Sequence, residues 1–146
     1  MIEYLISMIP GLSEVLTPGI LIWLVIIGGV TSIVFYHITI QKLLDQCSEE
    51  NRQMKSSLVW LNWIPIFNLG WQFYVYIKVR DSLKLEFESR GLSSEDKEFG
   101  YNIGLTYGFL YIVQFGIPSF VPAFTFIAWI AYWIQLYKYY KILNKS

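Results

Sequence analysis

The feature that most constrains this chain is an uninterrupted apolar segment at residues 20–40, which reads ILIWLVIIGGVTSIVFYHITI and contains no Asp, Glu, Lys or Arg. A helix rises about 1.5 Å per residue, so about 20 apolar residues cross the hydrocarbon core of a bilayer. The segment has that length. We therefore predict a transmembrane helix here.

Composition favours a membrane setting for the rest of the chain as well. The 146 residues are 55% hydrophobic and 15% charged, against roughly 45–50% and 25% in soluble domains. A chain of this length cannot bury so much apolar surface in a core of its own. The formal net charge is +0, so there is no excess of positive charge that would favour binding to nucleic acid. From the apolar composition we expect membrane lipid to surround most of the chain.

Three further apolar segments follow, at about 58–79, 100–117 and 123–143. Each is close to the length of a membrane-spanning helix. The predicted fold class is an all-α membrane protein, with a four-helix transmembrane bundle over residues 20–146. A short interfacial helix over residues 1–19 is expected to precede the bundle.

The second segment carries four residues that disturb an ordinary span, Asn62, Pro65, Asn68 and Gln72. Proline removes an amide donor and kinks a helix, and buried amides seek partners on other helices. These residues predict a kink or a polar lining within the bundle. The alternative is a re-entrant segment that turns near Pro65–Gly70 and leaves on the face where it entered, with protein or water covering the turn.

The distribution of Lys and Arg bears on both topologies, because these residues concentrate on the cytoplasmic side. With four spans and both termini in the cytoplasm, eight of the 11 basic residues are cytoplasmic. With a re-entrant second segment and an external N-terminus, all 11 are cytoplasmic. We take four spans as the primary prediction and keep the re-entrant topology as the alternative.

The third segment carries Gly100, Gly104 and Gly108, one glycine every four residues. Positions four apart share a helix face, and glycine lets two helices approach closely. The motif predicts tight packing, either within the chain or between subunits. Pro118 and Pro122 predict a tight turn into the fourth segment, because each ring fixes φ and removes an amide donor.

Aromatic residues crowd the second half of the fourth segment, among them Trp129, Trp133, Tyr137 and Tyr140. Trp and Tyr are enriched at the level of the lipid headgroups. We interpret these four as an interface belt.

No residue pattern indicates an enzyme. His37 and Cys47 are the only histidine and cysteine, so a haem held by two histidines and a zinc site built from cysteines are excluded, and we predict no cofactor or metal. The acidic residues after the second segment are interpreted as a solvated helix surface; they are Glu86, Glu88, Glu95, Asp96 and Glu98.

Local signals also predict how the second helix ends. Glu86 and Arg90 stand four apart in the favourable order for a helical ion pair. Gly91 is a typical helix stop. Ser93 or Ser94, followed by two acidic residues, predicts the start of the third helix.

The centre of the chain has a distinctive run of residues. It reads CSEENRQMKSSLVWLNWIPIFNLGWQF at 47–73, followed by DSL at 81–83, EF at 86–87 and RG at 90–91. This run resembles a group of small uncharacterised bacterial integral membrane proteins whose pattern is ENRxM followed by VWLxxIPxFNxxWxF. The resemblance implies a multi-pass protein of the bacterial inner (cytoplasmic) membrane and brings no activity with it.

Together these features predict a small membrane accessory or scaffold protein that packs against itself, as a homo-oligomer, or against a larger membrane complex. One alternative is a small homo-oligomeric channel or transporter lined by Asn62, Asn68 and Gln72 or by the glycine face. Another is a membrane-embedded lipid-binding protein or enzyme. Because no ionisable residue lies in the middle of a predicted span, a proton pump or a carrier of charged substrates is disfavoured.

Overall fold

A computed structural model describes residues 18–117 and 119–146. This part of the chain forms helices α1 (Pro18–Asp45), α2 (Asn68–Ser89), α3 (Tyr101–Val113) and α4 (Val121–Leu143), with a 3₁₀ helix (Ser56–Trp63) before α2. The all-α class is therefore confirmed. The predicted interfacial helix over 1–19, apart from its last two residues, and Pro118 of the predicted turn lie outside the described residues.

The chain divides into two compact units, Met1–Phe35 and Tyr36–Ser146. The described part of the first unit is the beginning of α1, which exposes large hydrophobic side chains around the whole helix. They are Ile20, Leu21, Ile22, Trp23, Leu24, Val25, Ile26, Ile27, Val30, Ile33 and Phe35. Among the described residues, α1 is the one helix long and apolar enough to cross a membrane, by length and composition. The other three predicted spans do not meet this test.

In the second unit, residues 48–63 run antiparallel to α2. The Ser48 amide donates to the Glu86 carboxylate near the end of α2 (2.9 Å). Further along, the Trp71 indole near the start of α2 donates to the Leu58 carbonyl (3.0 Å). The two arms of this hairpin, the 3₁₀ helix and α2, are joined by a turn at residues 64–67.

The segment 58–79 is therefore not one continuous helix, because the 3₁₀ helix ends at Trp63, α2 begins at Asn68, and Pro65 lies in the break. Proline disfavours helical backbone at the residue before it, and Ile64 is extended, with φ −80° and ψ 114°. Ile66 then adopts φ 65°, which reverses the chain. The break begins where the re-entrant alternative sets its turn, at Pro65–Gly70.

Helix α2 ends as predicted, since Gly91 follows it with φ 64°. The predicted start of the third helix at Ser93 or Ser94 is wrong. The Asp96 carboxylate accepts the Gly100 amide (2.5 Å) and holds a turn ahead of the helix. Gly100 then takes φ 78°, and α3 begins immediately after it.

Helices α2 and α4 run parallel, and α3 runs antiparallel to both. A Cβ built on Gly108, late in α3, would lie 2.8 Å from the ring of Phe73, early in α2. At the opposite end, the Phe87 ring of α2 lies 5.0 Å from the ring of Phe99, just before α3, and 5.8 Å from that of Tyr139, late in α4. Aromatic rings therefore join the three helices at both ends of the unit, beside a core that also contains many buried Leu, Ile and Val side chains.

The two ends of the second unit differ in polarity. The apolar end comprises the turn before α2 and the turn between α3 and α4. Its exposed large hydrophobic side chains are Trp63, Ile64, Ile66, Phe67, Phe109, Ile112, Phe115, Ile117, Phe120 and Phe124. The polar end comprises the loop after α1, the end of α2 and the end of α4, and it contains the hydrogen-bond network described below.

Candidate functional site

The most connected polar group of the second unit is the Glu86 carboxylate, which is 2% exposed. It accepts hydrogen bonds from the Ser48 amide (2.9 Å), the Ser48 hydroxyl (3.0 Å) and the Asn51 amide group (2.8 Å). The Arg90 guanidinium completes the set at 2.8 Å, so the helical ion pair predicted from the sequence is present. The interpretation of Glu86 as a solvated side chain is wrong, because the loop at 48–51 covers it.

Arg90 extends this network to two further parts of the chain. Its guanidinium donates to the Leu143 carbonyl at the end of α4 (3.0 Å) and to the Gln46 carbonyl after α1 (2.9 Å). The planar guanidinium presents several donors in fixed directions, which suits such bridging. We call Glu86, Arg90, Ser48 and Asn51 the polar clamp, since together they join the ends of three helices.

The clamp keeps its carboxylate ionised. Burial alone would raise the pKa of Glu86, but the hydrogen bonds from Asn51, Ser48 and Arg90 together outweigh it and lower that pKa below its usual value. A carboxylate with a lowered pKa is a poor proton donor at neutral pH. The arrangement therefore holds the ends of three helices together through an ionised carboxylate.

Cys47 lies beside the clamp as an inert thiol. Its side chain is 1% exposed. Burial raises the pKa of the thiol to about 12, and the charge of Glu86 adds to the rise. Because the thiolate is the reactive form, we expect slow alkylation of this cysteine in the folded protein.

The glycines of the third segment lie against aromatic side chains of the same chain. A Cβ on Gly104 would meet the rings of Tyr132 (3.1 Å) and Tyr76 (3.2 Å), and one on Gly108 would meet Phe73. Gly100 stands just before α3. These rings fill the space in front of the glycines, so a second subunit cannot use this face without displacing them.

The polar residues of the predicted second span do not share one face. Asn62 lies in the 3₁₀ helix and Pro65 in the break, whereas Asn68 and Gln72 belong to the first turns of α2. Gln72 is 6% exposed, and its carbonyl accepts the Tyr76 hydroxyl (3.1 Å). The side chain of Gln72 therefore lies in the core, beside the ring of Tyr76.

The four aromatic residues of the predicted interface belt divide into two pairs. Trp129 and Trp133 are half-buried, and their rings lie 5.9 Å and 6.2 Å from that of Tyr36. Tyr137 and Tyr140 stack on each other at 6.0 Å nearer the polar end. The first pair therefore packs within the chain, and Tyr137 is the most exposed of the four.

The described residues contain no cluster of three or more His, Cys, Asp and Glu that could hold a metal ion. The one histidine, His37, is buried and stacks on Trp60 with ring centroids 5.7 Å apart.

The clamp is not among the sites predicted from the sequence, although one signal pointed to it. Ser48, Asn51, Glu86 and Arg90 all fall within the separated pieces of the central run, CSEEN, EF and RG. The structure brings these pieces together in space. No protein-family model, curated protein or solved structure matches this chain.

Proposed function

We propose that this chain is an integral protein of the bacterial inner membrane that acts as an accessory or scaffold subunit rather than as an enzyme. In this proposal α1 crosses the bilayer. Two helical hairpins enter the bilayer from the cytoplasmic side, with the apolar end deepest in the membrane. One hairpin consists of the 3₁₀ helix and α2, and the other consists of α3 and α4.

The observation that carries the membrane assignment is the exposure of α1. Only 6% of its most apolar 18-residue stretch is buried, whereas the core helix of a soluble protein is mostly buried.

The charge pattern supports entry of both hairpins from one side. None of the 11 basic residues falls within 56–77 or 98–137, the stretches that build the apolar end and the centre of the second unit. Apart from Lys78, at the middle of α2, they lie in the loops of the polar end or in the later parts of α1, α2 and α4. This is the distribution that the positive-inside rule favours when the second segment is re-entrant.

Cysteine labelling tests this topology. In a Cys47→Ser background, we expect Ser57→Cys and Ser93→Cys both to resist an impermeant maleimide in intact cells and both to react after the membrane is opened. Both serines are exposed in the fold. Four true spans instead predict that Ser57→Cys reacts from outside while Ser93→Cys does not, and that result would exclude the re-entrant topology.

The scaffold role is supported by what the site can do chemically. The polar clamp fixes helix ends and keeps its carboxylate ionised, and Gln72 faces the aromatic core, where it cannot line a pore. The exposed hydrophobic side chains of the apolar end offer contacts to lipid or to another membrane protein.

Native mass spectrometry of the gently extracted protein tests this role. We expect the 17.1 kDa chain in a complex with a second, larger membrane protein. Complexes that contain only multiples of 17.1 kDa, together with ion flux in liposomes, would contradict the accessory role and favour the homo-oligomeric channel.

A further inference from the structure

A shallow, open groove of about 440 Å³ lies on the outward face of α4 at the polar end of the second unit. Its walls combine three basic side chains with apolar ones; the lining residues are Ile134, Tyr137, Lys138, Lys141, Ile142 and Lys145. The neighbouring face of the same helix is buried in the aromatic core through Tyr132, Leu136 and Tyr139. The groove is therefore a feature of the outer surface of the unit.

The three lysines form a local excess of positive charge. They stand at helical spacings of three and four residues, which sets them along one face. Residues 121–146 contain no Asp or Glu. Lys138 reaches Glu95 only at 4.0 Å, and the Glu95 side chain is 97% exposed, so solvent screens this pair.

An apolar stripe leads from the lysines towards the apolar end. Phe120, Ile127 and Ile134 are 66%, 62% and 64% exposed, and they stand seven residues apart in line with Lys141. From Ile127 to Lys141 the helix rises about 21 Å. One leaflet with its headgroup region is about 20–22 Å thick, so Ile127, Ile134 and the lysines match the acyl and headgroup layers of a single leaflet, and Phe120 extends beyond them.

We propose that this groove binds an anionic phospholipid of the cytoplasmic leaflet, with the phosphate between the lysines and an acyl chain along Ile134 and Ile127. This inference rests on the membrane insertion proposed above. Basic pockets on the cytoplasmic side of membrane helices suit anionic headgroups. The stripe selects a lipid over free phosphate, since a phosphate ion alone leaves the apolar wall uncovered.

The lysines also complement the negative end of the α4 dipole. That role alone does not account for the groove. The Leu143 carbonyl at the helix end already accepts the Arg90 guanidinium (3.0 Å), and a dipole needs no apolar stripe beside the charges.

Lipid titration of the detergent-purified full chain, followed by native mass spectrometry, tests the site with phosphatidylglycerol and phosphatidylcholine as probes. The groove variant combines Lys138→Gln, Lys141→Gln and Lys145→Gln. The matched control combines Lys42→Gln, Lys55→Gln and Lys84→Gln, three exposed lysines outside the groove. We expect the unaltered chain and the control to prefer phosphatidylglycerol by about tenfold or more, and the groove variant to lose this preference.

Each other outcome overturns the proposal. An equal loss in the control would mean that net charge alone attracts the lipid. Release of bound phosphatidylglycerol by millimolar inorganic phosphate would indicate a phosphate site without a lipid chain. Circular dichroism checks that the variants are folded. A chain that alkaline carbonate extracts from membranes refutes the proposed function, whereas a membrane-integrated chain without lipid preference refutes this inference alone.

Discussion

Replacement of Glu86 by alanine is expected to lower the free energy of unfolding by about 3 kcal/mol, the lower end of the range for losing one partner of a buried ion pair. The variant leaves the Ser48 amide, the Asn51 amide group and the Arg90 guanidinium without their common acceptor. The lower end applies because the Arg90 side chain is 30% exposed and can regain water. Denaturant unfolding in detergent, followed by circular dichroism, measures the change.

Glu88→Ala is the matched control, because Glu88 is an exposed glutamate in the last turn of the same helix. Substitutions of this kind stay within about 0.5 kcal/mol of the unaltered protein. If Glu86→Ala and Glu88→Ala unfold at the same denaturant concentration, the polar clamp does not stabilise the fold.

The same carboxylate gives the protein a defined response to acid. The pKa of Glu86 is lowered in the folded state, so its contribution is present above the unfolded value of about 4.3 and is lost as the pH falls through the lower folded value. The unaltered protein should therefore lose more stability than Glu86→Ala between neutral pH and about pH 3. Parallel losses would show that other groups dominate acid unfolding.

Helix α1 and the hairpin of α3 and α4 could be predicted because composition and proline spacing determine them locally. A long apolar segment without charged residues is costly to expose to water, so its composition alone indicates a membrane helix. Proline is suited to the first turn of a helix, and Pro122 lies in the first turn of α4. The second segment could not be predicted in the same way. Its hydropathy is continuous across Pro65, whereas the chain direction depends on the backbone of Ile64 and Ile66.

The burial of Glu86 lay beyond local reasoning for another reason. On its own helix the residue looks like a neighbour of Glu88 and Arg90 on a charged surface. Its cover is the loop at 48–51, which has no helical or strand period from which its path could be inferred. The one sequence signal for this contact was the central run, because its separated pieces CSEEN, EF and RG meet at the clamp.

In the proposed membrane setting, the clamp would determine how the hairpins pack. Apolar packing between helices and lipid provides little preference for one arrangement, since lipid tails are as apolar as the side chains. A network of charge-assisted hydrogen bonds at one end fixes which helix ends meet. Aromatic rings packed on glycines then set the spacing of the helices towards the other end.

Replacement of Gly104 by leucine is expected to prevent native packing of α3. A Cβ alone would approach Tyr132 at 3.1 Å and Tyr76 at 3.2 Å, and these rings are 1% and 2% exposed with centroids 5.1 Å apart. Because both rings are buried, the added carbons should cost at least the upper end of the range of about 1–3 kcal/mol for overpacked cores. Thermal unfolding in detergent measures the loss.

Gly70→Ala provides the contrast, because no atom lies within 4 Å of a Cβ at Gly70 in α2. Alanine there should leave the stability unchanged or raise it by up to about 1 kcal/mol through helix propensity. Oligomeric mass separates the two interpretations of the glycine motif. If Gly104→Leu keeps its melting temperature but changes from oligomer to monomer, the glycines form a contact between subunits, and the packing against Tyr76 and Tyr132 does not stabilise the chain. A large fall in melting temperature, with no change in the oligomeric mass of the protein that remains folded, means that the glycines serve the fold of the single chain.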